Sequence, residues 1–288
     1  MKCKIINLSI LFLVILFLVI FTACTPSNIS NYGNIEILSD PSGAKVYIDG
    51  VDTGKVTPYF GTNIETGSHT VKLELFQYQT REDTNVMIIS EETTVLFWEL
   101  IKAPEQLITI QSGKDTKDAF VSSENSSWNY NGFDLSVGSD TVNSVRRIYR
   151  IYLKFDLSPL PINAVVLDAK LALQPYLFPI SIVTTPMQAG VFQVEIPWEE
   201  DMITWDNQPK SSIIAEAVTE IPYNPGVKFV YWNITGLFQG WQDGNITNNG
   251  MMVRVVDENL DYGYIGFWSS DYGEVSKRPK LDIKYYIP

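Results

Sequence analysis

The chain has 288 residues, 45% of them hydrophobic and 12% aromatic, which is enough apolar material for one large or two ordinary cores and too much for a disordered polymer. Its formal net charge of −12 disfavours nucleic acid as a partner, because phosphates reward clustered Lys and Arg. Cys3 and Cys24 are the only cysteines and His69 the only histidine, so disulfides, thiolate catalysis, cysteine-ligated zinc and multi-histidine metal sites are excluded from the body of the chain.

Lys2 and Lys4 precede an almost unbroken apolar run from Ile5 to Ala23, the charge and hydropathy order of an export signal. About 20 apolar residues suffice to span a bilayer, so an uncleaved signal anchor is the alternative. Phe21-Thr22-Ala23-Cys24 resembles the lipobox of bacterial lipoproteins, with Phe21 standing where Leu is usual. That resemblance implies that Cys24 is lipidated and becomes the first residue of the exported protein. Residues 1–24 therefore read as a lipoprotein signal peptide and 25–32 as a linker. The expected location is the cell envelope, lipid-anchored and facing the periplasm or the exterior, with the membrane as one partner.

From Asn34 onward the apolar residues recur at period two, interrupted at short intervals by Gly, Pro, Asn and Asp, which predicts an all-β protein. Ile35 and Ile37 alternate with polar neighbours, and Val46 and Ile48 do so up to Asp49-Gly50, a dipeptide suited to a tight turn. Val71, Leu73 and Leu75 mark another strand, and Val95, Phe97 and Trp98 a last one. Lys102 to Gln106 then breaks the pattern with a proline and charges, as a linker does. Within this first unit Ser39-Asp-Pro-Ser-Gly-Ala44, Val46-Tyr-Ile-Asp-Gly50, Gly54, Thr57-Pro58, Gly67, His69 and Tyr78 resemble a PEGA domain over residues 33–101. Ser42 stands where that family often has Glu, and Gln77 where it commonly has Gly. The resemblance implies a small surface-exposed β-sandwich with a spacer or interaction role, and a structural rather than ligating His69.

Residues 107–288 are again read as strands throughout. In Arg150 to Leu157, Ile151, Leu153, Phe155 and Leu157 fall on one side and Arg150, Tyr152, Lys154 and Asp156 on the other, predicting a core face and a wet face. Leu167 to Leu173, Phe192 to Ile196, Val253 with Val255, and Leu281 to Tyr285 repeat the alternation, as in a two-sheet jelly roll. Asp118-Ala-Phe-Val121, Leu135-Ser-Val-Gly138, Arg150 to Ser158, Trp198 with Glu200, Thr204 to Pro209, Trp232-Asn-Ile-Thr235, Trp241, Asn248-Asn-Gly250 and Arg278-Pro279 with Leu281 resemble, in order, the DNRLRE family. Those disaggregatase-related domains are catalogued among carbohydrate-binding modules. The resemblance implies a jelly roll that engages polysaccharide, of the acidic uronate type in the better-understood members. A polysaccharide-cleaving enzyme and an adhesive envelope protein acting through protein contacts remain alternatives.

Sugar sites need flat apolar rings flanked by polar side chains. Trp128 and Tyr130 lie in the polar segment Ser122 to Gly132, where an aromatic ring has no period-two core role, and alternation turns Trp268 outward while Ile265 and Phe267 face in. These three are the candidate stacking residues; Trp198, Trp205, Trp232 and Trp241 read as core. A second candidate surface is the outward row Arg150, Tyr152 and Lys154, whose cations could pair with uronate carboxylates. Asp115 and Asp118, beside turns, are candidate ligands of a structural Ca²⁺; otherwise no cofactor is expected. Glu199, Glu200, Asp201 and Asp206 cluster in sequence, but proximity on one loop is weak support for a glycosidase pair, and no catalytic residue is assigned.

Overall fold

The computed structural model describes residues 31–113, 115–176, 185–222, 226 and 228–288; the lipidation site expected at Cys24 lies outside them. The described chain is all-β apart from one short α-helix and a single 3₁₀ turn. It divides between Ile101 and Lys102 into two compact units.

In the first unit, β1 (Tyr32–Asp40) lies between β4 (Tyr59–Glu65), antiparallel to it, and β7 (Thr93–Glu99), parallel to it. The second sheet runs β3 (Val51–Val56), β2 (Lys45–Ile48), β5 (Gly67–Glu74), β6 (Arg81–Ile88), all antiparallel. Ile35, Ile37, Val46, Val71, Leu73, Val86 and Ile88 pack together as its core, which is what period-two alternation demands of strands with one buried face. The β2–β3 hairpin closes through Asp49 and Gly50, both at positive φ (50° and 78°), the backbone of the tight turn their identities predict.

His69 secures that turn. Its Nδ1 lies 2.6 Å from Asp49 Oδ2 and its Nε2 2.8 Å from the Glu65 carbonyl, while the Thr70 amide donates to Asp49 Oδ1. Burial favours the neutral ring, but the hydrogen bonds to Asp49 and to Glu65 outweigh it and raise the imidazole pKa. Thr57 plays the same part for the Pro41 to Ala44 turn. Its buried hydroxyl accepts from the Gly43 and Ala44 amides and meets Ser39 Oγ at 2.6 Å.

The second unit is a two-sheet sandwich. The larger sheet runs β14 (Ala217–Ile221), β13 (Met187–Gln193), β16 (Met251–Val255), β11 (Val145–Lys154), β10 (Asp134–Val142), β17 (Gly263–Trp268), with β9 (Lys117–Ser122) also paired to β11. The smaller runs β15 (Val230–Asn233), β12 (Val165–Leu173), β18 (Lys280–Tyr286), β8 (Gln106–Gln111). Leu135, Val137, Ile151, Leu153, Leu171, Trp232, Val253, Phe267, Leu281 and Ile283 are among the residues that fill the space between them.

Two expectations for this unit are corrected. It is not strand throughout: α1 (Thr235–Gln242) follows β15, with Leu237 and Phe238 buried and Gln239 Nε2 donating to the Val166 carbonyl of β12. Nor is the outward face of β11 wet. Tyr152 is 1% exposed and belongs to a second, smaller core with Ala119, Val121, Phe192, Val194, Trp198, Ile203 and Met252. The segment after β13 supplies Trp198 and Ile203 to that core, and Trp198 Nε1 donates to the Asn249 carbonyl at 2.9 Å. Alternation places Tyr152 opposite the main core correctly; the cover over it comes from residues more than 40 positions away.

Candidate functional site

The row Arg150, Tyr152 and Lys154 is not an open basic surface. Arg150 donates to both carboxylate oxygens of Glu258 (2.7 and 2.6 Å) and to Gln208 Oε1 (2.9 Å), and its guanidinium lies 4.6 Å from the Trp205 ring centroid. The Tyr152 hydroxyl donates to the same Gln208 oxygen, and burial raises its pKa. Lys154 is half-buried. Alternation puts these three on one face; the fold then spends Arg150 and Tyr152 on internal packing.

The two candidate calcium ligands lie in different settings. Asp115 is exposed, whereas Asp118 is 0% exposed and accepts a 2.7 Å hydrogen bond from the Ser270 amide. Among the described residues no three His, Cys, Asp or Glu side chains converge as a metal site, and the contact that Asp118 does make pins the 269–271 turn. The acidic run is also committed elsewhere. Glu199 pairs with Lys117, Glu200 accepts from the Asp118 amide, Asp201 accepts from Asn131, and Asp206 accepts from Ser126.

The predicted aromatic residues lead instead to a cleft of about 370 Å³ at the β9, β10, β11 and β17 end of the larger sheet. Its lining holds Phe120, Tyr130, Tyr149, Tyr176 and Tyr264, together with Ser122, Glu124, Asn125, Asp134, Ser136 and Arg147. Each ring has a reason to be there. Tyr130 reaches it because the 123–132 loop folds back on β9, with the Phe120 amide donating to the Tyr130 carbonyl. Asn129 Nδ2 donates to the carbonyls of Glu200 and Ile203, fixing the same loop from the far side. Tyr176 arrives by extending the edge of β17: its amide donates to the Gly266 carbonyl, and its hydroxyl to Asp134 Oδ2. Its ring lies against Gly266, where a Cβ would sit 2.4 Å from Tyr176 Cζ, so only glycine at 266 leaves room for it.

The rings form a connected series. Centroids are separated by 6.1 Å from Trp128 to Tyr130, 4.4 Å from Tyr130 to Phe120, 6.5 Å from Phe120 to Tyr149 and 5.0 Å from Tyr149 to Tyr264. Trp128 does not itself line the cleft; it is 60% exposed and joins the series through its contact with Tyr130. Trp268 is not in the lining; it braces Tyr176 at 4.7 Å and is itself stacked on Tyr272 at 3.7 Å. Of the three predicted stacking residues, the structure thus puts Tyr130 in the cleft, Trp128 against Tyr130 outside the lining, and Trp268 against Tyr176. Tyr149, Tyr176 and Tyr264 were missed.

Burial pushes the Tyr149 phenol up to about 12 and raises those of Tyr176 and Tyr264, Asp134 adding to the effect at Tyr176. All three stay uncharged over the physiological range; the Tyr176 hydroxyl gives its proton to Asp134 and can still accept, while those of Tyr149 and Tyr264 can donate and accept. The arrangement offers ring faces and hydroxyls side by side, which suits a ligand with alternating C–H faces and polar edges.

Comparison with known proteins bears on what that ligand is. No curated protein matches the sequence. Among solved structures the chain is similar to the SGBP-B protein of the Bacteroides ovatus mixed-linkage glucan utilization locus in complex with mixed-linkage heptasaccharide. Identity there is 11%, with 89% of this chain and 52% of that one covered and a TM-score of 0.20, so the chain spans about half that protein's length. It is also similar to a structure described under the promiscuous specificity of carbohydrate-binding modules from the β-sandwich superfamily, at 10% identity, 84% and 83% coverage and a TM-score of 0.19. These scores are too low to carry an argument, and the family matches decide. Residues 32–103 match the PEGA domain. Residues 109–285 match Carbohydrate-binding module family 96, and since that match takes in well over half of the sequence, the chain belongs to this family of carbohydrate-binding modules.

Proposed function

We propose that the chain is a non-catalytic, membrane-tethered protein of the cell envelope that holds polysaccharide in the cleft between Tyr130 and Tyr264. The observation that carries this reading is the connected series of rings along a polar groove, in a unit whose family is one of carbohydrate-binding modules. The PEGA unit serves as the spacer that carries the binding unit away from the membrane. The basic leader, the apolar run and Cys24 support the tether.

Trp128→Ala and Tyr264→Ala should each weaken polysaccharide binding about tenfold, the loss expected for one stacking contact of about 1 kcal/mol or slightly more. Trp128 is mostly exposed, so its variant should melt close to the parent. Trp205→Ala, which strips the ring from beneath Arg150, should lower the melting temperature without the same selective loss of affinity. Affinity electrophoresis in polysaccharide-bearing gels, paired with thermal melts, separates the two effects. Equal affinities for parent, Trp128→Ala and Tyr264→Ala would exclude the cleft as the binding site.

For the tether, mass spectrometry of the protein made in a bacterial host should find Cys24 diacylated or triacylated as the mature N-terminus. Cys24→Ser should leave the precursor unprocessed or the product unlipidated. A wild-type product retaining residues 1–24, or beginning at an unmodified residue, would replace the lipid anchor with a signal anchor or a plain secretory signal.

A further inference from the structure

With the cleft as the binding site, a reading on which its selectivity rests, the ionic composition of the groove says more about the ligand than the rings do. The ionisable acids and bases in its lining are Glu124, Asp134 and Arg147. Arg147 is already flanked by two carboxylates: its Nε donates to Asp140 Oδ1 at 2.8 Å, its Nη2 donates to Asp140 Oδ2, and its Nη1 lies 3.5 Å from Glu124 Oε2. Asp140 thus occupies one fork of the guanidinium and Glu124 stands beside the other, so the positive charge is met inside the protein. Asp134 is in turn bonded by Tyr176. Glu124, Asp134 and Asp140 thus set three carboxylates against one guanidinium, and the groove is net negative.

A polyuronate laid along these rings would place successive carboxylates against that net negative charge. Opposing groups inside the groove would lie closer together than the Debye length of about 8 Å at physiological salt, so the repulsion would not be screened. Of the two other cations offered for a uronate, Arg150 is bound to Glu258, and Lys154 does not line the cleft. Uncharged sugars meet no such penalty. Their C–H faces need rings, and their hydroxyls need neutral donors and acceptors, which Tyr149, Tyr176, Tyr264, Ser122, Ser136 and Asn125 supply. We infer that the cleft selects an uncharged polysaccharide and discriminates against polyuronates.

The test is affinity electrophoresis of the full-length chain in detergent. The gels contain mixed-linkage β-glucan, galactomannan or arabinoxylan as uncharged polymers, alginate or polygalacturonate as polyuronates, and chitosan as a polycation, each at low and high NaCl. At least one uncharged polymer should be bound with an affinity indifferent to salt, and the polyuronates about tenfold or more weakly. Tyr264→Ala and Trp128→Ala should weaken that binding. A polyuronate or chitosan bound as well as the best uncharged polymer, with the same loss in the two variants, overturns the inference and leaves the cleft as the binding site. Binding to none of the polymers, or binding that neither variant alters, overturns the cleft assignment and this inference with it.

Discussion

Trp232→Ala should destabilise the C-terminal unit by about 3 to 5 kcal/mol, the usual cost of emptying a buried aromatic site. Trp232 is 0% exposed and ties the two sheets together. It stands on β15 of the smaller sheet, donates from Nε1 to the Ala189 carbonyl on β13 of the larger sheet at 2.8 Å, and meets Phe267 edge-on at 6.4 Å. Truncation therefore opens a cavity and removes a hydrogen bond between the two sheets, which adds about 1 kcal/mol. Against a typical domain stability of about 5 to 15 kcal/mol this is a large fraction, and the urea midpoint should fall accordingly. Trp232→Phe keeps much of the volume and should lose clearly less. A loss under about 1 kcal/mol for the alanine variant would mean that the sheets close over the gap and that Trp232 does not hold them together.

Asp118→Asn should remove a pH dependence that the wild type carries between about pH 4 and pH 7. Burial is the dominant cause that raises the Asp118 carboxyl to about 7. Hydrogen bonds from Ser270 oppose the shift, while Glu200 and Asp271 add to it. One oxygen accepts from the Ser270 amide, and Oδ1 has no hydrogen-bond partner among the described residues. The sign follows from proton counting. Between the unfolded value of 3.8 and the folded value near 7, the native state keeps a proton that the unfolded chain has released. Unfolding free energy therefore falls as pH rises through that window, by at most about 4 kcal/mol at about 1.4 kcal/mol per unit, and is flat with respect to this group above it. Asparagine can still accept from Ser270 but cannot ionise. Urea unfolding at about pH 5 and about pH 8 should show the variant losing less stability between them than the wild type. Parallel profiles for the two proteins would mean that the Asp118 carboxyl titrates near its ordinary value.

Much of this fold could be read from the sequence because period-two alternation is a direct record of which strand face is buried. Ile35 and Ile37, Ile151 and Leu153, and Leu281 and Ile283 all face cores, and Asp49-Gly50 makes its turn for the conformational reason that its residues suggest. The helix was also legible but was passed over. Ile234, Leu237, Phe238 and Trp241 recur at i, i+3, i+4 and i+7, the helical spacing, directly after a strand that invited the same reading to continue.

The covered face of β11 was harder. Alternation says that Tyr152 points away from Ile151; it does not say whether water or protein lies there. The one local hint was Ala119-Phe120-Val121 on β9, an apolar run without alternation, which marks a strand buried on both faces. The cleft was legible only at its loop. Trp128 and Tyr130 stood out because their surroundings are polar, whereas Tyr149 shares the inward parity of Ile151 and Tyr264 the outward parity of Trp268, so alternation assigns them to opposite faces. Their neighbourhood is made by pairing β10 with both β11 and β17, strands separated by more than 100 residues, and no local pattern records it.

The parallel pairing of β1 with β7 has a mechanical consequence for the first unit. Asn34 to Asp40 lie beside Thr93 to Glu99 in seven consecutive pairs, so the chain enters the sheet at one end of this ladder and leaves it at the other, about 20 Å away at about 3.3 Å per residue. Tension applied through the two ends of the unit is directed along the ladder. It loads the β1–β7 hydrogen bonds together, in shear, instead of peeling them open one at a time, so the unit resists being lengthened by a pull applied through its two ends.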